Sequence, residues 1–190
     1  MNNNPISARS HVYRITLDAL FVALYVILST FLSFKIPGAI QISFSTLPIL
    51  LCAFLFTPAD AAAVALLGTL LEQVLDPSPY GFATLPMWLI PGTAMALLAA
   101  FCAKGIRRIE NKRAALIFTC ITVAFAELLL TFLNTGALYI DGYLLHYPVK
   151  AIHLLLPTRL LNCLVRAVIS SFVTVLLLPP LRKALARLMR

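Results

Sequence analysis

The chain has 190 residues, 61% hydrophobic and only 12% charged, with a mean hydropathy of +0.95 and a net charge of +8. Soluble domains average about 45–50% apolar and about 25% charged residues, so the composition excludes a water-soluble globular protein. Apolar runs near the length of a bilayer crossing recur throughout, which leaves room for about six spans and no separate soluble domain, so residues 1–190 read as one transmembrane domain.

In chain order, the first span is expected from Ile15 to Phe34 and ends at Lys35-Ile36-Pro37-Gly38. The second runs from Ile40 to Phe56 with Pro48 inside it. Thr57-Pro58-Ala59-Asp60 then makes a tight turn in which Asp60 can cap the next helix. The third, Ala61 to Val74, carries Ala61, Ala62, Ala63, Ala65 and Gly68, small residues that suit close helix packing. Asp76-Pro77-Ser78-Pro79-Tyr80-Gly81 reads as a turn, and the fourth span follows from Thr84 to Ala103, bent by Pro86 and Pro91. The fifth runs from Ala114 to Leu133 and the sixth from Leu160 to Leu178. Between them, residues 134–157 are broken by Gly136, Asp141, Gly142, Tyr143, His146, Tyr147 and Pro148 and read as an outer cap or short interfacial helix. No internal repeat is visible.

Eleven of the fifteen Lys and Arg residues fall in three places: Arg9 and Arg14; Lys104, Arg107, Arg108, Lys112 and Arg113; and Arg182, Lys183, Arg187 and Arg190. With six spans all three lie on one side. This is the positive-inside pattern with both termini cytoplasmic, and it accounts for the positive charge without a nucleic-acid partner.

Ionisable residues inside spans are costly and mark function or helix pairing. Here they are Asp18, Glu72, Glu127, Arg159 and Arg166. Asp18 reads as a cap or a partner for Arg14. Glu72 is a ligand group or an ion-pair partner for an arginine. Arg159 and Arg166 lie seven residues apart on one face of span six, with Asn162 between them. The deeper Arg166 pairs most simply with Glu127 of span five as a structural ion pair. The shallower Arg159 is placed to meet a ligand from outside, where its planar fork suits a carboxylate. Lys35 either adds a second positive charge or snorkels to headgroups. Phe44, Tyr80, Phe82, Trp88 and Tyr139 near the outer ends form an interfacial belt or a stacking wall for a flat ligand. Ala19 and Ala23 leave a flat stripe where another helix can approach.

The sequence has no G-x-x-x-x-G-K-[ST], G-x-S-x-G or H-E-x-x-H motif, so nucleotide binding by a P-loop and the common hydrolase chemistries have no support. Cys52, Cys102, Cys120 and Cys163 sit in apolar runs without metal-ligand spacing and read as small core residues. No cofactor, metal or catalytic residue is expected, and no cleavable signal peptide is visible.

Several pieces together resemble a known family: the six-span layout, the Ala19/Ala23 stripe, Ile42-Ser43-Phe44-Ser45-Thr46-Leu47-Pro48 with Leu55-Phe56-Thr57-Pro58, and Leu133-Asn134-Thr135 with Leu156-Pro157-Thr158-Arg159-Leu160. The chain is similar to the substrate-binding S components of energy-coupling factor (ECF) vitamin importers, most of all the folate-type subgroup. The resemblance implies a multi-pass protein of a prokaryotic plasma membrane that captures a vitamin at its outer face. It also implies that Ala19 and Ala23 dock on a coupling transmembrane subunit, with two ATPase subunits completing the complex. The binding residues it suggests are Lys35, Gln41, Ser43, Phe44, Glu72, Tyr80, Trp88, Asn134, Arg159 and Asn162. S components for pantothenate, cobalamin or other vitamins share the layout. A stand-alone ion-coupled carrier using Glu72 and Glu127 as proton sites is the alternative from another class.

Overall fold

The structure, a computed structural model, describes residues 5–36, 40–75, 84–144, 146 and 149–188. It is an all-helical bundle of α1 (Pro5–Phe31), α2 (Thr46–Leu55), α3 (Pro58–Leu75), α4 (Leu85–Ile106), α5 (Lys112–Leu144) and α6 (Val149–Leu188). A small antiparallel hairpin, β1 (Ser33–Ile36) and β2 (Ile40–Ser43), lies between α1 and α2. Five of the six helices are long and apolar enough to cross a membrane.

The helix α2 corrects the expected second span. It has ten residues, about 15 Å of helix, half of a ~30 Å hydrocarbon core. It is apolar all round because it is buried all round, as a helix in the middle of a core must be. Residues Pro48 to Phe54 are enclosed, and α1, α3, α4 and α6 surround it. Pro48 falls in its first turn, where no intrahelical donor is lost. The residues before it alternate, Ile40, Ile42 and Phe44 against Gln41, Ser43 and Ser45. That period of two makes a strand rather than the start of a helix. In the same way Phe34, expected to end span one, belongs to β1.

A second correction concerns residues 134–157. They form no separate cap. Asn134 to Leu144 continue α5 and Val149 to Pro157 begin α6, so the α5–α6 pair is the longest arm of the molecule. Opposed contacts zip its two helices together in antiparallel register: the Tyr139 and His153 rings meet edge to face at 5.8 Å, Arg159 meets Thr135, Ser170 meets Glu127, and Ser171 reaches the Cys120 carbonyl at 3.4 Å.

The inner end is defined by basic residues. Arg14 of α1 donates to both carboxylate oxygens of Asp60, at 2.8 and 2.6 Å, while Asp60 caps α3 by accepting from the Thr57 backbone N–H at 3.0 Å. Arg107, just past α4, donates to the carbonyls of Phe54 and Phe56. These contacts bring the start of α1, the α2–α3 turn and the end of α4 to one end of the bundle, which the positive-inside rule turns to the cytoplasm. The hairpin and the end of the α5–α6 arm around Tyr139 and His153 lie at the other, outer end.

Small residues let α1, α3 and α4 approach closely. Ala61, Ala65 and Gly68 of α3 and Gly92, Ala96, Ala99, Ala100 and Ala103 of α4 are all buried. A Cβ at Gly68 would lie 2.8 Å from Tyr25 Cδ1 and 2.9 Å from its Cγ, atoms at the base of the ring that cannot swing away. Gly68→Ala is therefore expected to destabilise the protein by about 1–3 kcal/mol. The check is thermal unfolding in detergent, where an unchanged midpoint would contradict the tight α1–α3 contact.

Candidate functional site

Apart from Asp18, which lies near Arg14 and Asp60 at the inner end, the charged side chains within the bundle gather at three places towards the outer end. Between α1 and α3, Tyr25 Oη donates to Glu72 Oε2 at 2.6 Å. Between α4 and α5, Trp88 Nε1 donates to Asp141 Oδ2 at 2.9 Å. The richest set joins α5, α6 and the start of α2.

In that set Glu127 is 0% exposed. Its Oε1 accepts from Thr46 Oγ1 at 2.7 Å and from Ser170 Oγ at 3.0 Å, and its Oε2 lies 3.6 Å from Arg166 Nη2. Arg166 also donates to Thr131 Oγ1 at 3.0 Å. One carboxylate thus ties three helices at a depth where water is scarce, and the guanidinium offsets its charge. About two turns nearer the outer end, Arg159 Nη1 donates to Thr135 Oγ1 at 3.2 Å, and among the described residues no carboxylate pairs with it.

Arg159 lines a groove of about 550 Å³ between α5 and α6, within the ~300–1,000 Å³ typical of small-molecule sites. Thr131 and Thr135 line it beside Arg159, and Phe125, Leu128, Phe132 and Tyr139 form much of the remainder. Phe132 is 75% exposed, so the groove opens at the side of the bundle as well as near its outer end. Chemically it offers one cation in an apolar, partly aromatic setting, which favours an anionic group carried on a flat or apolar body.

The other sequence-derived candidates are spread around this outer end. Lys35 and Gln41 are cross-strand partners in the hairpin. Ser43 is buried and its Oγ donates to Ser45 Oγ at 2.9 Å, with Phe44 half-buried beside them. Asn134 and Asn162 are half-buried on α5 and α6. Tyr80 and the turn around it lie outside the described residues. Glu72 meets a tyrosine through the Tyr25 contact, and Trp88 is fixed by Asp141. Ala19 and Ala23 sit far from the groove on an exposed face of α1 with Leu20, Leu24 and Ile27. Sequence reasoning missed Tyr25, Thr46, Thr131, Thr135, Asp141 and Ser170. Uncharged hydroxyls in apolar helices carry no individual signal; Asp141 was visible, but only as one of the breaks in the expected outer cap or short interfacial helix.

The family model for the substrate-specific component of ECF transporters matches residues 13–178. The fold agrees with a solved structure of the S component of a bacterial ECF transporter. The TM-score is 0.63 at 21% identity, over 92% of this chain and 98% of that one. No curated protein matches the chain. The chain belongs to the family of ECF transporter substrate-specific components. It is a multi-pass membrane protein whose part in transport is to bind substrate, not to catalyse a reaction, and membership implies both a substrate and the partners of an ECF module.

Proposed function

We propose that this protein captures a vitamin, with folate or a folate-like compound the leading ligand, at the outer face of a prokaryotic plasma membrane. It passes the vitamin inward as part of a complex with a coupling transmembrane subunit and two ATPase subunits. The observation that carries this reading is Arg159, a guanidinium set in an apolar groove and bonded there, among the described residues, to one threonine hydroxyl. A substrate carboxylate supplies acceptors for the guanidinium, and the aromatic residues Phe132 and Tyr139 line the groove with it. The same reading assigns further substrate contacts to Lys35, Gln41, Ser43 and Phe44, in and just after the hairpin segment, and to Glu72, Tyr80, Trp88, Asn134 and Asn162. The stand-alone carrier reading is weaker, because Glu72 and Glu127 are both engaged in hydrogen bonds rather than poised for proton exchange.

The exposed Ala19/Ala23 stripe is the docking surface for the coupling subunit, since small side chains allow backbone-close contact. In vesicles, the chain alone should bind radiolabelled folic acid without accumulating it, and accumulation should need ATP and the three partner subunits. Replacing Ala19 and Ala23 by leucine should cut accumulation at least tenfold and leave binding unchanged. Accumulation by the chain without partners would make it a stand-alone carrier. Normal accumulation by the leucine variant would remove the stripe from the interface.

A further inference from the structure

Asp141 lies apart from the Arg159 groove, where α5 packs on α4 near their outer ends, and is 0% exposed. One carboxylate oxygen accepts the Trp88 N–H, while the other, Oδ1, is enclosed without a hydrogen-bond partner among the described residues. A second enclosed polar atom without a partner is Thr84 Oγ1, in a residue 3% exposed. Thr84 precedes Trp88 by four residues, so the two share a face at the start of α4. Buried acceptors are nearly always satisfied, and an unsatisfied charged one is the costliest kind. Two such atoms, one on the residue bonded to Trp88 and one a helical turn before it, call for hydrogen-bond partners that the described residues do not provide, a donor in the case of the carboxylate.

We infer that Asp141 is a second substrate contact: its Oδ1 accepts hydrogen bonds from a flat heteroaromatic ring whose edge carries adjacent N–H donors, next to Trp88. This rests on the reading of the substrate as folate-like, since a 2-amino-4-oxopyrimidine ring supplies such an edge. An ionised carboxylate only accepts, so it selects an N–H edge and rejects one whose nitrogens are methylated. Arg159 only donates, so it selects the acidic part of the same molecule. The two residues give the site a polarity, with ring nitrogens at the α4–α5 contact and carboxylate at the α5–α6 groove.

Trp88 is the single tryptophan of the chain and is bonded to the carboxylate in question, so its fluorescence reports directly on this contact. The experiment titrates detergent-purified protein with 6-methylpterin, which has no carboxylate, with its analogue methylated at the ring N3 and the 2-amino nitrogen, and with folic acid. Saturable quenching is expected with 6-methylpterin and folic acid, and at least tenfold weaker binding of the methylated analogue. Asp141→Asn keeps an acceptor for Trp88 but turns an amide N–H₂ toward the ligand, and should weaken 6-methylpterin tenfold or more. No saturable response to 6-methylpterin, or equal affinity for its methylated analogue, overturns the inference; the second comparison uses the unmodified protein and does not depend on the variant folding. Arg159→Ala separates this contact from the carboxylate one. If folic acid binds that variant as tightly as the unmodified protein, the carboxylate contact fails while a pterin response lost in Asp141→Asn still supports Asp141.

Discussion

Arg166→Ala is expected to destabilise the protein by about 3–5 kcal/mol, the range for breaking a buried ion pair from one side. The reason lies in how Glu127 is satisfied. Thr46 and Ser170 occupy one carboxylate oxygen, and Arg166 is the cation facing the other at 3.6 Å. With the guanidinium gone, a fully enclosed carboxylate must stay charged without a partner or take up a proton, and Thr131 loses its donor as well. Glu127→Ala should cost a comparable amount, because it strands Arg166 together with the hydroxyls of Thr46 and Ser170. The double change of Glu127→Ala with Arg166→Ala removes both charges and should cost less than the sum of the two single changes by at least ~1 kcal/mol, the mark of direct coupling. Midpoints from thermal unfolding followed by size-exclusion chromatography in detergent give the comparison. Strict additivity would mean that the two residues do not act as a pair.

The second large effect falls on binding rather than folding. Among the described residues Arg159 makes one hydrogen bond, to Thr135, so its removal should leave the unfolding midpoint nearly unchanged. Hydrogen bonds to a charged partner contribute about 1.5–3 kcal/mol, and each 1.4 kcal/mol is about tenfold in affinity. Arg159→Ala should therefore weaken folic acid binding by roughly 10- to 150-fold. Arg159→Lys keeps the charge but loses the planar fork, and should fall between the two. Calorimetric titration of the three proteins with folic acid gives the ranking. An alanine variant that binds normally would release the groove from substrate recognition.

How much of this was legible in the sequence depends on the kind of signal each part carries. The spans that became α3 and α4 stood out because their apolar runs are bounded by Pro58, Asp60 and a basic loop, all strong local punctuation. The hairpin was hidden because a hydropathy average over Ile40 to Phe56 cannot tell a short strand followed by a buried helix from a single span. Only the alternation of Ile40, Ile42 and Phe44 with Gln41, Ser43 and Ser45 records it. The outer halves of α5 and α6 were masked by Gly136, Asp141 and Gly142, which are poor helix formers taken singly. Tertiary contacts outweigh that preference, since Asp141 is fixed by Trp88 and Tyr139 packs on His153. Counting depth along the spans put Glu127 and Arg166 at similar levels, and the structure has them 3.6 Å apart. Their hydroxyl partners needed the antiparallel register of α5 and α6, which no single-helix pattern contains. The expectation that Arg159 meets a ligand came from its place at the outer rim of a lipid-length helix, and the groove around it came only from the fold.

Capture of a folate-like vitamin through Arg159 can be read by native mass spectrometry of the protein, extracted from membranes in mild detergent and incubated with folic acid. One folate-like molecule per chain is expected, retained by the unmodified protein and lost from Arg159→Ala. A folded protein that carries no such ligand and takes up no folic acid, or an Arg159→Ala variant that retains it as fully as the unmodified chain, would contradict it.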